Sequence, residues 1–373
     1  MPRLHVAIAV LCGTTGGPAT YGCRLTAALA APIARGDLRL SILTDRPERI
    51  EAPGAELVEL PGRGGLDRLR WQYLALPKAL RALRPDVFHD TKNALPFGLP
   101  CPAVVTVHDL AYHTVPQTFG FGSRCFLRFV TRDAVRRAKA IVVPSLATAA
   151  DLATFYAHSK GRVHVVPHGI DPAPVVSAAE AAAVRQRLGL PAHYVLHVGT
   201  LQARKNVDLV IQGVRQLREQ GLPHRAVVVG RRGWLAEAAV REIQRDDTAL
   251  WIEHVGAADL PAVYAGAASF VSPSAYEGFG FAVADALAAG VPTVIADVSS
   301  LPELCGDAAV RLPKLTGEAV AAALRPLLSD AALAADLGAR GRGRAAEFAW
   351  ARCAEQHLQV YQAVGGGCAD RFE

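Results

Sequence analysis

Tyr194-Val195-Leu196-His197-Val198-Gly199-Thr200-Leu201-Gln202-Ala203-Arg204-Lys205-Asn206 is the stretch that decides how this chain folds. An apolar run of strand length ends at a glycine, crosses a short polar loop and enters a helical pattern over 206–219. Gly199 lets the backbone turn tightly at the strand end. Asn206 is of a residue type that caps helices and is expected to cap this one. Arg204 and Lys205 precede that cap, where a helix offers free N–H groups and about half a positive charge. Two cations beside a helix N-terminus make a diphosphate site. A solvated basic loop would have the same composition.

The strand–loop–helix unit recurs along the chain. Strands are expected at 4–10, 38–43, 87–89, 103–107, 140–143 and 163–166, with helices at 20–34, 66–83, 124–138 and 146–156 between them. A second series has strands at 194–198, 226–229, 252–255, 269–271 and 293–295, with helices at 206–219, 260–267, 281–289 and 317–328. Helical patterns at 331–348 and 351–363 close the chain. Short apolar runs alternating with helices imply parallel sheets covered on both faces. The expected fold class is α/β, two doubly wound Rossmann-like domains. The first spans 1–172 and the second 173–350, with the linker at 173–183 and a last helix at about 351–365 packing back on the first. A length of 373 residues, 51% of them apolar, suffices for two such cores.

Ligands of open α/β sheets sit beyond the carboxyl ends of the strands. After the strand at 269–271 comes Ser272-Pro273-Ser274-Ala275-Tyr276-Glu277-Gly278-Phe279-Gly280, then a helix carrying Asp285. Gly278 and Gly280 let backbone N–H groups approach an anion closely. Glu277 and Asp285 then flank that cradle, and a carboxylate can accept from a pair of sugar hydroxyls. The bland alternatives are a helix-capping Glu277 and a solvated Asp285. Asp285, set between Ala284 and Ala286, is expected to need a partner. In the first half, His108 follows a strand and is a candidate for the ligand site, or else a core histidine bonded to backbone. Asp109 is expected to brace its turn, and His168 to be structural.

Charge is uneven. Residues 1–172 hold 21 Lys/Arg against 13 Asp/Glu, and 173–373 hold 19 against 21. The first half should therefore meet something anionic. Arg124, Arg128, Arg132 and Arg136 recur every fourth residue among Phe126, Leu127, Phe129 and Val130. Arg68, Arg70, Lys78, Arg81 and Arg84, with Trp71 and Tyr73 among them, add charge nearby in sequence. One reading is docking on an anionic membrane with a lipid-linked acceptor, the other a solvated helix face. No aromatic platform motif supports nucleic acid as a partner. Seven Cys without C-x-x-C spacing fit reduced thiols in a cytoplasmic protein. No apolar run reaches bilayer length. The run 4–12 reads as a strand rather than a signal peptide, because it enters a glycine-rich turn without a small-x-small cleavage site.

At these residues the sequence resembles retaining glycosyltransferases of family 4, which have the GT-B fold of two Rossmann-like domains facing across a cleft. The segment 198–209 is similar to that family's Gly-x-x-x-x-Arg-Lys-Asn segment, and 272–304 to its Pro-Ser-x-x-Glu-Gly-Phe-Gly block. Thr106-Val107-His108-Asp109-Leu110 resembles its His-Asp segment, and Pro167-His168-Gly169-Ile170-Asp171 its crossing between domains. The resemblance implies that Arg204 and Lys205 neutralise the donor diphosphate. Backbone N–H groups of Gly278, Phe279 and Gly280 would bind the transferred sugar or its phosphate. Glu277 would hold sugar hydroxyls, Asp285 the ribose, and His108 would face the sugar from the other domain. The base would lie near Val255, Gly256 and Leu260. Gly199 opens the donor segment. The loop Gly13-Thr14-Thr15-Gly16-Gly17 would form a backbone wall near the phosphate or acceptor, Gly16 and Gly17 included, with Asp109 on the same side. One departure is Asp285, where the family usually has Glu.

Together these readings give a hexose-type glycosyltransferase acting on a nucleotide diphosphate sugar, UDP-, GDP- or other, and on a glycan or lipid-linked acceptor. The chain has no Asp-x-Asp triplet, so neither a metal nor another cofactor is expected. The alternatives are an epimerase or phosphorylase on the same fold and a catalytically silent sugar-nucleotide-binding subunit. A dinucleotide dehydrogenase is disfavoured, because no Gly-x-Gly-x-x-Gly follows a strand with an acid about 20 positions on.

Overall fold

The computed structural model describes residues 3–12, 16–60, 67 and 70–366. Gly13, Thr14, Thr15, the expected helix start at 66, Arg68 and Cys368 lie outside the described residues. The chain divides into two units. One comprises Met1–His113, Gly122–Gly169 and Phe348–Glu373, and the other Thr114–Phe121 and Ile170–Glu347.

The first unit holds β1 (Leu4–Val10), β2 (Leu38–Thr44), β3 (Glu56–Glu59), β4 (Val87–Asp90), β5 (Ala103–Thr106), β6 (Ala140–Val143) and β7 (Val163–Val165) in the order β3-β2-β1-β4-β5-β6-β7. All pairings are parallel, with Val6 opposite Leu40 on one side and Val87 on the other. Val6, Ala7 and Ile8 on β1 are each 0% exposed, so both faces of this strand are covered. That burial explains the unbroken apolar run. The second unit holds β8 (Tyr194–Val198), β9 (Arg225–Val229), β10 (Ala249–Ile252), β11 (Ser269–Ser272), β12 (Thr293–Ala296) and β13 (Val310–Leu312) in the order β10-β9-β8-β11-β12-β13, again parallel. Its core includes Val195, Val228, Val271 and Val294 from the sheet, and Val210, Ile211, Val214 and Leu324 from the helices over it.

The structure adds β3, β13 and the helix Glu237–Arg245 to the elements expected from the sequence, and three of the expected segments differ in form. The strand expected at 252–255 lies three residues earlier, at Ala249–Ile252, where pairing with Ala226–Val229 fixes its register. Glu253 and His254 beyond it are exposed. The helix expected at 20–34 is two helices, Gly17–Ala28 and Ala30–Arg35. Pro32 has no N–H to donate to Ala28, so the ladder breaks there. Within the expected linker a helix begins at Ala178 and runs to Leu188. Ser177 caps it and Glu180 closes a capping box.

A buried polar chain ties the last helix of the chain, Trp350–Gly365, to the first sheet. His357 Nδ1 lies 2.7 Å from the Cys353 carbonyl, which can only accept, so this nitrogen carries the proton. His357 Nε2 then accepts from Tyr21 Oη at 2.7 Å. Tyr21 in turn accepts from Thr106 Oγ1 at 3.0 Å, and Thr106 from His89 Nε2 at 2.8 Å. His89 Nδ1 is left to accept from Tyr361 Oη at 2.7 Å. Every donor has an acceptor only if both imidazoles are neutral. His168 packs beside this chain, its ring tilted 4.4 Å from that of Tyr21 and 5.4 Å from that of His108. Burial pushes His108 and His357 down to about 4, and His89 and His168 well below their ordinary value.

Those depressions have a definite sign. The unfolded histidines take up protons near 6.5 while the folded ones do not, so stability is complete above 6.5 and falls as pH drops toward 4. We expect unfolding free energy, measured with denaturant at pH 7.5, 5.5 and 4.5, to decrease stepwise, with net proton uptake on unfolding. A flat profile between 7.5 and 5.5 would contradict the neutral network.

Candidate active site

In the second unit the chain runs outward from β8 through β9 to β10, then returns to the other side of β8 as β11. The carboxyl ends of β8 and β11 therefore bound the switch point of the sheet, the usual ligand crevice of such folds. The two loops leaving these ends are bound to each other. Ala275 N donates to Arg204 O at 2.7 Å, and Asn206 Nδ2 donates to Pro273 O at 2.8 Å. Asn206 occupies the N-cap position of the helix Val207–Glu219, but in the left-handed region at φ 49°, and its side chain makes no cap bond. The expected capping role is thus replaced: the amide is spent on the neighbouring loop.

Arg204 and Lys205 project from the turn Ala203–Lys205 onto Glu277. Arg204 Nη1 donates to Tyr276 O at 2.7 Å and to Glu277 Oε2 at 3.3 Å, while Lys205 Nζ donates to Glu277 Oε1. Glu277 is 7% exposed. Burial pushes its carboxyl up, but Lys205 and Arg204 outweigh that and hold it at about 2. The Glu277 backbone is clamped on both sides. Its N–H donates to Ser299 Oγ at 2.9 Å, and its carbonyl accepts from Ser300 Oγ at 2.9 Å. Ser299 sits at φ 53°, a strained region for serine.

Gly278, Phe279 and Gly280 form the bend that leads into the helix Phe281–Ala289. Gly280 caps this helix at φ 99°, and a Cβ there would stand 2.8 Å from Leu301 Cδ2, so only glycine fits. The helix N-terminus thus faces the same crevice edge as Glu277. Gly199, at φ 155°, turns the chain at the end of β8. A Cβ on it would lie 3.6 Å from His197 Nε2 and 3.9 Å from Lys205 Cε. His197 went unnoticed in the sequence because it reads as one more strand residue. Its Nδ1 donates to Val271 O at 2.9 Å, bracing β8 on β11. Its Nε2 is buried with no hydrogen-bond partner among the described residues. Burial holds this imidazole at about 4, so it is neutral and Nε2 is an acceptor.

Asp285 lies on the exposed side of its helix, between buried Ala284 and Ala286. A 100° step per residue turns its side chain to solvent while both neighbours face the core. Its carboxylate influences the buried phenol of Tyr264, which is raised by burial first and by Asp285 second. Tyr264 Oη donates to Ala282 O at 3.2 Å, joining the helix Leu260–Ala265 to the Asp285 helix. Val255 is buried and Gly256 exposed, and the Gly256 carbonyl receives Asp259 N and Leu260 N at 3.0 and 3.1 Å.

The remaining candidates belong to the first unit. His108 Nε2 donates to Thr91 O at 2.7 Å, joining the ends of β5 and β4. Asp109 Oδ1 accepts from Ala111 N at 3.2 Å, which braces the turn. Gly16 caps the helix Gly17–Ala28 at φ 130°.

Family models match both halves of the chain: one described as "Glycosyltransferase Family 4" over residues 15–174, and one described as "Glycosyl transferases group 1" over 192–330. The chain belongs to the family 4, group 1 glycosyltransferases. It is 29% identical over 290 residues to O-antigen chain mannosyltransferase B of Escherichia coli, covering 76% of each chain. It is 33% identical over 264 residues to a D-inositol 3-phosphate glycosyltransferase of Kineococcus radiotolerans, covering 64% of this chain and 61% of that one. Among solved structures, sucrose-phosphate synthase from Thermosynechococcus elongatus aligns with TM-score 0.77 at 21% identity, over 98% of this chain and all of that one. Anabaena HepE, solved with UDP and glucose, aligns with TM-score 0.74 at 17% identity, over 97% and 100%. These likenesses assign the GT-B fold.

Glu277→Gln leaves two half-buried cations facing a neutral amide, and breaking a buried pair in this way costs about 3–5 kcal/mol. The folded carboxyl stands below its ordinary 4.5, so its contribution is present above pH 4.5 and lost as pH falls toward 2. We expect the stability gap between wild type and Glu277→Gln, measured by denaturant unfolding, to be constant from pH 5.5 to 7.5. It should shrink below pH 4.5. A gap that widens on acidification would refute the ion triad.

Proposed function

We propose that this chain transfers a hexose-type sugar, with retention and without a metal ion, from a nucleotide diphosphate sugar to a glycan or lipid-linked acceptor. The observation that carries this reading is the convergence of Arg204, Lys205 and the 278–280 bend at one switch point. Glu277 is ion-paired with both cations. A diphosphate offers them a stronger counter-charge. Its arrival would release the Glu277 carboxylate to accept hydrogen bonds from sugar hydroxyls at the helix N-terminus.

When the sugar C1–O bond breaks, negative charge collects on the departing diphosphate. Arg204, Lys205 and the N-terminus of helix Phe281–Ala289 oppose that charge, each charge-assisted bond contributing about 1.5–3 kcal/mol. The leaving phosphate would take the acceptor proton, giving attack on the face it leaves. The mannosyl and inositol-phosphate chemistry named for the two relatives supports a hexose donor and a polar acceptor. Thermal shift against a panel of nucleotide sugars identifies the donor, because a bound ligand raises stability with its occupancy. We expect Arg204→Ala and Lys205→Ala each to weaken nucleoside diphosphate binding at least tenfold. Asp285→Glu should leave it intact. NMR of the product should show the donor's anomeric configuration, and a chelator should not reduce turnover; an inverted product or chelator-sensitive turnover would overturn the corresponding part of the reading.

We place the acceptor at a membrane surface through the helix Phe121–Arg137. No helix among the described residues is long and apolar enough to cross a membrane. Four-residue steps on a helix advance about 40° around its axis. The arginine row therefore turns from half-buried Arg124 and Arg128 to exposed Arg132 and Arg136, rather than forming one straight stripe. Phe126 and Phe129 are 54% and 68% exposed on the same helix, an amphipathic pairing suited to an anionic interface. Arg132→Glu with Arg136→Glu should abolish co-sedimentation with vesicles containing phosphatidylglycerol, and Phe129→Ser should weaken it. Binding that survives charge reversal would remove the membrane from this reading.

A further inference from the structure

At the carboxyl end of β1 the structure places two thiols against each other. Cys12 is 0% exposed and its Sγ lies 3.3 Å from Sγ of Cys23, which is partly exposed on the helix Gly17–Ala28. Both thiols are reduced. The Cys12 backbone is held at each polar atom. Its N–H donates to Asp45 Oδ1 at 2.6 Å, and its carbonyl accepts from Arg49 Nη1 at 2.7 Å. On the helix, Gly22 packs under Val10 and Thr91, so Cys23 is fixed from its own side as well. Two sulfurs held this firmly, one covered and one reachable, are arranged as a resolving and an attacking thiol. A disulfide requires them to approach to about 2.05 Å, a movement of little more than 1 Å.

We propose that Cys12 and Cys23 form a reversible dithiol–disulfide site that takes a peroxide as oxidant. The division of labour follows from their surroundings. The hydrogen bond from Cys12 lowers Cys23 to about 7 against the opposing effect of burial, with Arg49 and Arg24 adding to the lowering. Cys12 is raised by the same bond and by burial, so it keeps its proton and donates it. The Cys23 thiolate attacks one oxygen of hydrogen peroxide. The O–O bond breaks, Cys23 becomes a sulfenic acid, and hydroxide leaves. The Cys12 sulfur then attacks the Cys23 sulfur, the S–O bond breaks, and the Cys12 proton leaves with the hydroxyl as water. Two electrons pass from the two sulfurs to the peroxide. The product fastens the end of β1 to the helix that carries Tyr21. Dithiol reagents reverse it by exchange.

Both sulfurs fall on the single tryptic peptide 4–24, so mass spectrometry reads the site directly. Folded wild-type protein at pH 7 is treated with stoichiometric hydrogen peroxide, then alkylated and digested. We expect this peptide to be two mass units lighter than its reduced form and unalkylated at both sulfurs. Dithiothreitol should restore both thiols. Exposed Cys125 serves as the internal comparison and should react at least tenfold more slowly. In Cys12→Ser the Cys23 sulfenic acid should persist and be captured by dimedone. Oxidised wild-type peptide bearing a dimedone adduct on Cys23 beside an intact Cys12 thiol would overturn the proposal, as would Cys125 reacting first. The wild-type digest decides the matter even if the serine variant fails to fold. Because the readout is chemical, it is independent of whether a sugar donor has been found.

Discussion

Glu277 sits between Arg204 and Lys205, and the packing of the loops after β8 and β11 depends on that placement. Two cations brought this close, and this far from water, repel each other and whatever positive potential the neighbouring helix N-terminus adds. The buried Glu277 carboxylate offsets that repulsion. It can do so only because its own backbone is fixed by Ser299 and Ser300, and because the loops after β8 and β11 are joined by Ala275 and Asn206. The result is a buried cluster in which one carboxylate is shared by two cations.

Sheet topology explains why these residues meet although 72 positions separate Lys205 from Glu277. β8 and β11 are neighbours in space because the chain fills one flank of the sheet before starting the other. The same reversal occurs at β1 and β4 in the first unit, where His108, Thr91 and the Cys12–Cys23 pair are gathered. Each unit thus concentrates its unusual chemistry at the one place where its parallel strands leave an open edge for loops to converge.

Much of this was legible in the sequence. Short, largely apolar runs such as 194–198 and 293–295, alternating with helical patterns, could be read as strands of a sheet covered on both faces. Arg204, Lys205 and Glu277 stood out because charges at strand ends before helices have few structural reasons to be there. What stayed hidden depends on long-range geometry. His197 looked like strand filling, and only the pairing of β8 with β11 gives its ring a partner on one side and none on the other. Asn206 looked like a cap, yet the left-handed turn that redirects its amide follows from the opposing loop. Asp285 reads in the sequence as an acid among alanines, and only the helix geometry shows that its position is exposed while Ala284 and Ala286 are buried. The offset of β10 has a similar origin: Trp251, Ile252 and Val255 are equally apolar, and only register with β9 chooses among them.

The helix Trp350–Gly365 belongs to the first unit by its contacts, although the whole of the second unit precedes it in the chain. During synthesis, then, the first sheet emerges with one flank of its interior uncovered, and Tyr21 and His89 must wait for His357 and Tyr361 before their hydrogen bonds can close. The unit that holds β1 is therefore completed only after the second unit has been made. Loss of this helix would uncover apolar surface in the unit that holds β1–β7, against which Leu358, Tyr361 and Val364 are buried.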